Sequence, residues 1–204
     1  MSARDAILAA LGPASGDDLD RAAAALLIDP ERPPVDPTQL EETFAARLLL
    51  PSVAASYAAV AGFADVPAAI AAYCAEHGLP RHLCAPPDPR LDAADWSGID
   101  RHLDPAPDEP LALAVAECGV AETGSLVMRT APTAPMLPNF LALHHVVVVP
   151  RLVAYLEDAL PTEPMPRGYY WITGVSGTTD IEGTYVRGAH GPRYLHVIRL
   201  ISEN

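Results

Sequence analysis

The chain has 204 residues, half of them apolar, which suffices for one sizeable hydrophobic core and favours a single α/β domain over two. The formal net charge is −13 and the thirteen basic residues form no visible cluster, so binding to nucleic acid or to an anionic membrane surface is not expected. The N-terminus shows no apolar signal segment and no apolar run reaches membrane-spanning length, which predicts a cytoplasmic protein.

The basic residues and the cysteines exclude several kinds of cofactor chemistry. All thirteen basic residues are arginine, so the chain has no lysine for a Schiff base, a pyridoxal phosphate anchor or a P-loop. Cys74, Cys84 and Cys118 are scattered and lack CxxC spacing, so we expect buried thiols. We therefore predict that this chain binds no iron–sulfur cluster, flavin or pyridoxal phosphate, and we assign no metal ligands.

Residues 1–37 are predicted to form a helical appendage to a domain over residues 38–204. Segments 6–11 and 19–28 have helical character. The proline-rich segment 29–37 interrupts this pattern, because prolines forbid a continuous helix. The sequence alone does not decide whether the appendage packs on the core or on another chain.

From Thr38 onward, helix and strand signals alternate. Thr38 and Glu41 have the spacing of a capping box and predict the start of a helix. A second predicted helix has Asp65 as its N-cap and ends at Gly78, and residues 79–85 read as a short strand. This alternation is typical of a layered α/β domain with a mostly parallel sheet and helices on both faces.

Strand signals become stronger in the second half of the chain. Apolar, β-rich runs bounded by turn residues predict five strands, over residues 111–116, 125–128, 145–149, 169–173 and 195–201. Between the third and fourth of these, residues 152–160 have apolar positions at helical spacing and predict a helix.

The turn at residues 119–125 (GVAETGS) is the first candidate functional segment. A carboxylate beside two hydroxyls and between glycines can face a cleft, with backbone N–H groups directed at a ligand. We assign Glu122 a catalytic role and expect Thr123, Gly124, Ser125 and the nearby Arg129 to bind substrate. An ordinary capped turn with a solvated Glu122 is an equally good interpretation.

The second candidate segment comprises residues 174–183 (GVSGTTDIEG) and 188–192 (GAHGP). It offers hydroxyls, two carboxylates and a histidine between glycines, directly after a predicted strand. We assign catalytic roles to Asp180 and His190. Substrate-binding roles are assigned to Ser176, Thr178, Glu182 and Gly191. The alternative is a glycine-rich loop in which Asp180 caps a helix.

Three separated stretches together resemble the LUD-domain family, and in particular the C component of bacterial lactate-utilisation systems. Residues 119–127 (GVAETGSLV) resemble its AETG segment, and residues 137–138 with 145–149 resemble its LP and HI-VV stretch. Residues 176–182 (SGTTDIE) and 186–192 (VRGAHGP) resemble its S-x-T-A-D-I-E and V-x-G-V-H-G-P signature. Thr179, Ala189 and Val175 depart from the family pattern, but none of them removes a polar group.

The resemblance covers about residues 111–201 and implies both a fold and a role. The implied fold is a three-layer α/β/α arrangement with a Rossmann-like sheet, similar to the sugar-phosphate isomerase and coenzyme A transferase group. The implied role is support of L-lactate oxidation to pyruvate, as a non-redox subunit beside partner proteins that carry iron–sulfur clusters. A small carboxylate or phosphate ligand is also consistent with it.

Two alternatives remain open from the sequence. Residues 122–124 also resemble the Glu-Asn-Gly of coenzyme A transferases, which would make the chain a stand-alone enzyme on a small carboxylate or acyl thioester with Glu122 as nucleophile or base. Asp180, Glu182 and His190 are suitable metal ligands, although their spacing matches no standard site. We further predict that five of these residues meet in one cleft at the carboxyl edge of the sheet: Glu122, Ser176, Thr178, Asp180 and His190.

Overall fold

A six-stranded parallel sheet forms the centre of the structure, a computed structural model that describes residues 2–10, 16–26, 28, 32–161 and 165–201. The strands, in chain order, are β1 (Ala55–Val60), β2 (His82–Cys84), β3 (Asp100–His102), β4 (Leu111–Val115), β5 (Cys118–Val120), β6 (Ser125–Arg129), β7 (His144–Val149), β8 (Leu152–Val153), β9 (Tyr169–Ile172), β10 (Gly177–Thr179), β11 (Tyr185–Arg187) and β12 (Tyr194–Leu200). The helices are α1 (Ala3–Ala10), α2 (Gly16–Leu26), α3 (Leu40–Leu48), α4 (Val66–His77), α5 (Pro89–Asp92) and α6 (Pro138–Leu141).

The central sheet has the strand order β1-β12-β7-β4-β2-β3, and every neighbouring pair is parallel. Its middle strand β7 is buried along its whole length, which explains why its sequence is a nearly continuous valine run. The predicted layered α/β fold with a mostly parallel sheet flanked by helices is therefore confirmed.

Each face of this sheet has its own apolar core. On one face, α4 contributes Val66 and Ile70 to a cluster that includes Leu113 and Val146. On the other face, α3 contributes Phe44 to a cluster with alternate strand residues of β4, β7 and β12. Residues of β6 and β9 complete this second cluster, so a small second sheet shares that face with α3.

The second sheet has four strands in the order β8-β5-β6-β9. The predicted strands over 125–128 and 169–173 lie in this sheet as β6 and β9, and they pair antiparallel rather than joining the parallel sheet. Strand β6 also pairs antiparallel with β5, because the turn at residues 121–124 joins these two strands and so short a connection can join only antiparallel strands.

The helix predicted over residues 152–160 is wrong. The segment forms β8 followed by a 3-10 turn, Leu156–Ala159. Backbone pairing outweighs the helical spacing of its apolar residues, because the carbonyls of Val153 and Ala154 accept hydrogen bonds from Ala121 and Glu122.

The capping box predicted from Thr38 and Glu41 is also wrong, although the helix itself is present as α3. The Asp36 carboxylate accepts a hydrogen bond from the Thr38 backbone N–H at 2.8 Å and caps a 3-10 turn, Pro37–Gln39. Glu41 instead forms an ion pair with Arg199 at 2.6 Å. The helix predicted to end at Gly78 is confirmed as α4, where Gly78 has a left-handed φ of 64°.

The chain divides into two compact units, Met1–Pro34 and Val35–Asn204. The first unit contains α1 and α2, at the positions of the predicted helical segments, of which Leu11 and Leu27 lie outside the described residues. No helix in the described part of the chain is long and apolar enough to cross a membrane.

Candidate functional site

A cavity of about 260 Å³ opens at the amino-terminal ends of β7 and β12. It is bordered by the loop before each of these strands and by the segment that follows β9. Its lining residues are Asn139, Phe140, His145, Trp171, Ile172, Thr173, Gly174, Ser176, His190, Gly191, Pro192 and Leu195. The volume suits a small molecule of a few heavy atoms, below the usual range for drug-sized ligands.

His145 is the most deeply buried polar residue of this cavity, with 1% of its surface exposed. Burial lowers the pKa of its imidazole to about 4, so the ring is neutral at physiological pH. Its Nε2 has no hydrogen-bond partner in the structure. A buried polar nitrogen without a partner costs free energy, and a bound polar ligand would supply the missing hydrogen bond.

Ser176 and His190 are brought to the cavity by two backbone segments that bind each other. The Ser176 N–H donates to the Pro192 carbonyl at 2.9 Å, and the Gly188 N–H donates to the Ser176 carbonyl at 2.8 Å. Gly191 lies so close to Ser176 that a Cβ on Gly191 would stand 3.2 Å from the serine Cβ. The structure thus unites three predicted site residues, Ser176, His190 and Gly191.

A chain of hydroxyl groups connects the first candidate segment to the cavity wall. Thr123 Oγ1 lies 2.7 Å from Ser125 Oγ, which in turn lies 2.6 Å from Thr173 Oγ1. Ser125 is almost fully buried, whereas Thr173 lines the cavity. Thr123 and Ser125 therefore act on the cavity through Thr173, and neither of them lines it.

Asp180 and Glu182 lie on an exposed hairpin formed by β10 and β11. Asp180 Oδ1 accepts hydrogen bonds from the backbone N–H groups of Glu182 and Thr184 at 2.9 and 2.8 Å, so it shapes the hairpin turn and caps no helix. Thr178 sits in the middle of β10. Four residues of extended chain separate Asp180 from Ser176, or roughly 13 Å.

The remaining predicted residues also lie away from the cavity. Glu122 is half-buried in the β5–β6 turn and is not among the lining residues. Gly124 has a φ of 74° and packs against α3, where an added Cβ would stand 3.0 Å from Arg47 Cβ. Arg129 lines a different hollow of about 240 Å³, together with Arg90 and Glu117.

The alternative metal site of Asp180, Glu182 and His190 does not form. Among the described residues, the group whose ligand atoms come within 4.8 Å of one another consists of Cys84, His102 and Glu109.

The cavity lies within the segment that matches a known family. The family model described as LUD domain matches residues 110–200, which contain His145, Ser176 and His190. The matched segment spans a little less than half of the 204-residue chain. The sequence resemblance to this family is thereby confirmed, and the family is linked to lactate utilisation.

Two relatives of the LUD domain extend this comparison. An uncharacterised protein from Neisseria meningitidis serogroup B is 30% identical over 96 residues, which cover 44% of this chain and 41% of that protein. The match therefore spans less than half of the relative's own length. A crystal structure of a DUF162 family protein from Deinococcus radiodurans matches with a TM-score of 0.54 and 19% identity, over 81% of this chain and 99% of that chain. At that identity the likeness shows the fold alone.

The cavity lies at the amino ends of the parallel strands, opposite to the edge that the sequence led us to expect. That expectation assumed that both candidate segments leave strands of the parallel sheet. Instead, residues 119–125 connect β5 to β6, and residues 174–183 follow β9. Strands β5, β6 and β9 lie in the second sheet, where β6 pairs antiparallel with both β5 and β9. The rule that ligands bind at the carboxyl ends of strands applies only to the parallel sheet.

Three polar residues of the cavity were not predicted from the sequence: Asn139, His145 and Thr173. Asn139 is 5% exposed and donates a hydrogen bond to the Tyr170 hydroxyl at 2.7 Å. A signal existed for His145, because a histidine at the start of a buried valine run must place a polar ring in an apolar core. Asn139 follows the Leu-Pro pair of the family resemblance, and Thr173 ends a predicted strand.

The lining of this cavity, in the described part of the chain, includes no arginine and no carboxylate. An anionic ligand would thus be held by hydrogen bonds from imidazole, hydroxyl, amide and backbone groups. Of the two imidazoles, that of His190 is exposed and that of His145 is buried and neutral. An exposed imidazole can also pass a proton to or from a bound ligand.

Proposed function

We propose that this chain is a cytoplasmic, non-redox component of a bacterial L-lactate utilisation system and supports the oxidation of L-lactate to pyruvate. The observation that carries this proposal is the match of residues 110–200 to the LUD domain model, together with the small cavity in this segment, whose lining includes several polar groups. The electrons are passed on by partner proteins that carry iron–sulfur clusters. The cysteines support this division of labour, because Cys74, Cys84 and Cys118 are buried and are scattered along the sequence without CxxC spacing.

The cavity in this proposal binds a small carboxylate such as L-lactate or pyruvate. Its volume of about 260 Å³ is small, and Ser176, His190 and the unpartnered Nε2 of His145 offer hydrogen-bonding groups to a hydroxy acid. A drug-sized cofactor would need a larger enclosed volume.

The first experiment tests the biological role. The gene is deleted in its host, and growth on L-lactate and on glucose is compared with and without complementation by the full chain. We expect growth on L-lactate to be lost and growth on glucose to be retained. Unchanged growth on L-lactate would contradict the proposal.

The second experiment tests whether the chain works as a subunit. An affinity-tagged chain is isolated from its host grown on L-lactate, and the eluate is examined for bound iron and for L-lactate oxidation. We expect an iron–sulfur protein to co-purify and the isolated chain alone to show no turnover. Turnover of a small carboxylate or an acyl thioester by the chain alone would instead favour the stand-alone enzyme.

A further inference from the structure

A second group of polar residues lies beside the LUD-domain cavity and plays no part in the function proposed above. Cys84 ends β2 and His102 ends β3, and the two residues are paired across these parallel strands. Glu109 precedes β4 and is 1% exposed. One ligand atom from each of the three lies within 4.8 Å of the others.

We propose that Cys84, His102 and Glu109 form a binding site for one Zn²⁺ ion. The donor set is a thiolate, an imidazole and a carboxylate, which are the three ligand types that zinc takes in proteins. Magnesium and calcium prefer oxygen ligands alone, so the cysteine favours a transition metal.

Unpartnered atoms in this cluster supply an independent reason. Glu109 Oε2 accepts hydrogen bonds from His102 Nε2 at 2.8 Å and from the Ala106 N–H at 3.0 Å. Glu109 Oε1 and His102 Nδ1, in contrast, are buried without a hydrogen-bond partner. A carboxylate oxygen that is buried in this way carries an uncompensated desolvation cost, which a bound cation would remove.

The existing hydrogen bonds are compatible with metal binding. In a tetrahedral zinc site with bonds of about 2.0 to 2.3 Å, the ligand atoms stand about 3.3 to 3.8 Å apart. Small side-chain rotations therefore bring the present atoms to that spacing. The His102 ring is held in place by a stacked His82 ring, with a centroid distance of 4.3 Å and an interplanar angle of 16°.

The charges of the proposed ligands also balance the charge of the zinc ion. In the metal-free chain the Cys84 thiol donates to the Leu103 carbonyl, and burial together with the nearby Glu109 raises its pKa to about 11. Zn²⁺ binding would release the thiol proton to solvent. One thiolate, one carboxylate and a neutral imidazole then neutralise the two positive charges of the ion, so the buried site carries no net charge.

This site is a neighbour of the ligand cavity. Cys84 is in register with Ala112, and Ala112 is in register with His145. Residues in register across a parallel sheet point to the same face, and two strand spacings amount to roughly 10 Å. The proposed zinc site and His145 therefore lie on one face of the sheet with a single alanine between them. Three protein ligands leave a fourth position for water or a ligand.

The test uses the untagged full chain, freed of metal by a chelator that is then removed. Zn²⁺ is titrated in competition with a chromophoric chelator, and Co²⁺ is titrated as a spectroscopic probe. We expect one ion per chain and, with Co²⁺, a near-ultraviolet charge-transfer band that reports thiolate ligation. Failure of the unaltered chain to bind one equivalent would overturn the proposal.

The variants locate the ion. Cys84→Ser and Glu109→Gln should each weaken Zn²⁺ binding by at least about 100-fold. Mutation of residues that only hydrogen-bond to metal ligands already lowers metal affinity by about 10- to 100-fold. Cys118→Ser, which alters another fully buried cysteine, is the matched control and should retain both the affinity and the cobalt band. Equal binding by the unaltered chain and by a folded Cys84→Ser or Glu109→Gln variant would refute the assignment. Circular dichroism identifies variants that fail to fold, and Glu109→Gln, which keeps the side-chain shape, carries the test in that case.

Discussion

Ser125 Oγ lies 2.6 Å from Thr173 Oγ1, and this hydrogen bond joins the turn at residues 121–124 to the wall of the ligand cavity. The two residues are 48 positions apart in the sequence. Thr123 extends the same chain of hydroxyls to the turn itself. The hydroxyls of Thr123 and Ser125 therefore stabilise the cavity wall through Thr173 without lining the cavity themselves.

Replacement of Ser125 by alanine should lower the free energy of unfolding by about 1 to 3 kcal/mol, because two hydroxyl partners lose a buried hydrogen bond. Chemical denaturation of the purified chain measures the change. The double variant Ser125→Ala/Thr173→Val serves as the control, since removal of both partners leaves fewer groups unsatisfied. It should lose less than the sum of the two single variants. Strictly additive losses would show that the two hydroxyls are not coupled.

Gly174 should not tolerate a side chain. Its φ is 102°, and an added Cβ would stand 2.6 Å from the Val53 carbonyl oxygen, which belongs to the backbone and cannot turn away. We expect Gly174→Ala to cost more than about 2 kcal/mol of stability. Gly183→Ala is the matched control, because Gly183 also has a positive φ, of 83°, but has nothing within 4 Å of the new Cβ. It should cost only about 1 to 2 kcal/mol. Equal losses in thermal or chemical denaturation would mean that the contact with Val53 is unimportant.

Three buried histidines should make the protein less stable in mild acid. Burial lowers the pKa of His144, His145 and His196 to about 4, with the nearby His77 adding to the effect for His144 and His196. The unfolded value is about 6.5, so the stability that these neutral rings contribute is complete above that pH and is lost as pH falls toward 4. Each histidine adds up to about 1.4 kcal/mol per pH unit in that window.

Denaturation curves at several pH values between 7.5 and 4.5 measure this dependence. In a His145→Leu variant the free energy of unfolding should fall less steeply with decreasing pH than in the unaltered chain. The difference in slope should correspond to the uptake of about one proton fewer on unfolding. Gln39→Ala, which changes an exposed side chain that does not titrate, should keep the original slope. Identical slopes for all three proteins would rule out the buried neutral state of His145.

The sequence predicted the parts of the fold whose signals are local. The valine run of β7 and the glycine at the end of α4 identify a buried strand and a helix end without reference to other segments. Strand β1 was missed because alanine dominates it, and its place in the sheet depends on pairing with β12 at the far end of the chain. The segment 152–160 was assigned wrongly because its backbone pairs with β5, which apolar spacing does not reveal.

The candidate site was only partly predictable for the same reason. Ser176 and His190 were identified from residue type and glycine context, and they do meet at one cavity. Asp180 was identified on the same grounds, but its carboxylate accepts backbone hydrogen bonds that stabilise a hairpin turn. His145 has no polar neighbour in the sequence apart from His144, and only the strand register brings it opposite the loop residues.

The most direct measurement of the central claim is growth on L-lactate of a deletion strain that produces a Ser176→Ala/His190→Ala double variant. We expect growth on L-lactate to fall to the level of the uncomplemented strain while growth on glucose is normal, because the cavity loses two of its hydrogen-bonding groups. A Glu42→Ala variant, changed at an exposed position on α3, should grow like the unaltered protein. Normal growth on L-lactate with normal levels of the double variant would contradict the claim that this cavity serves lactate oxidation.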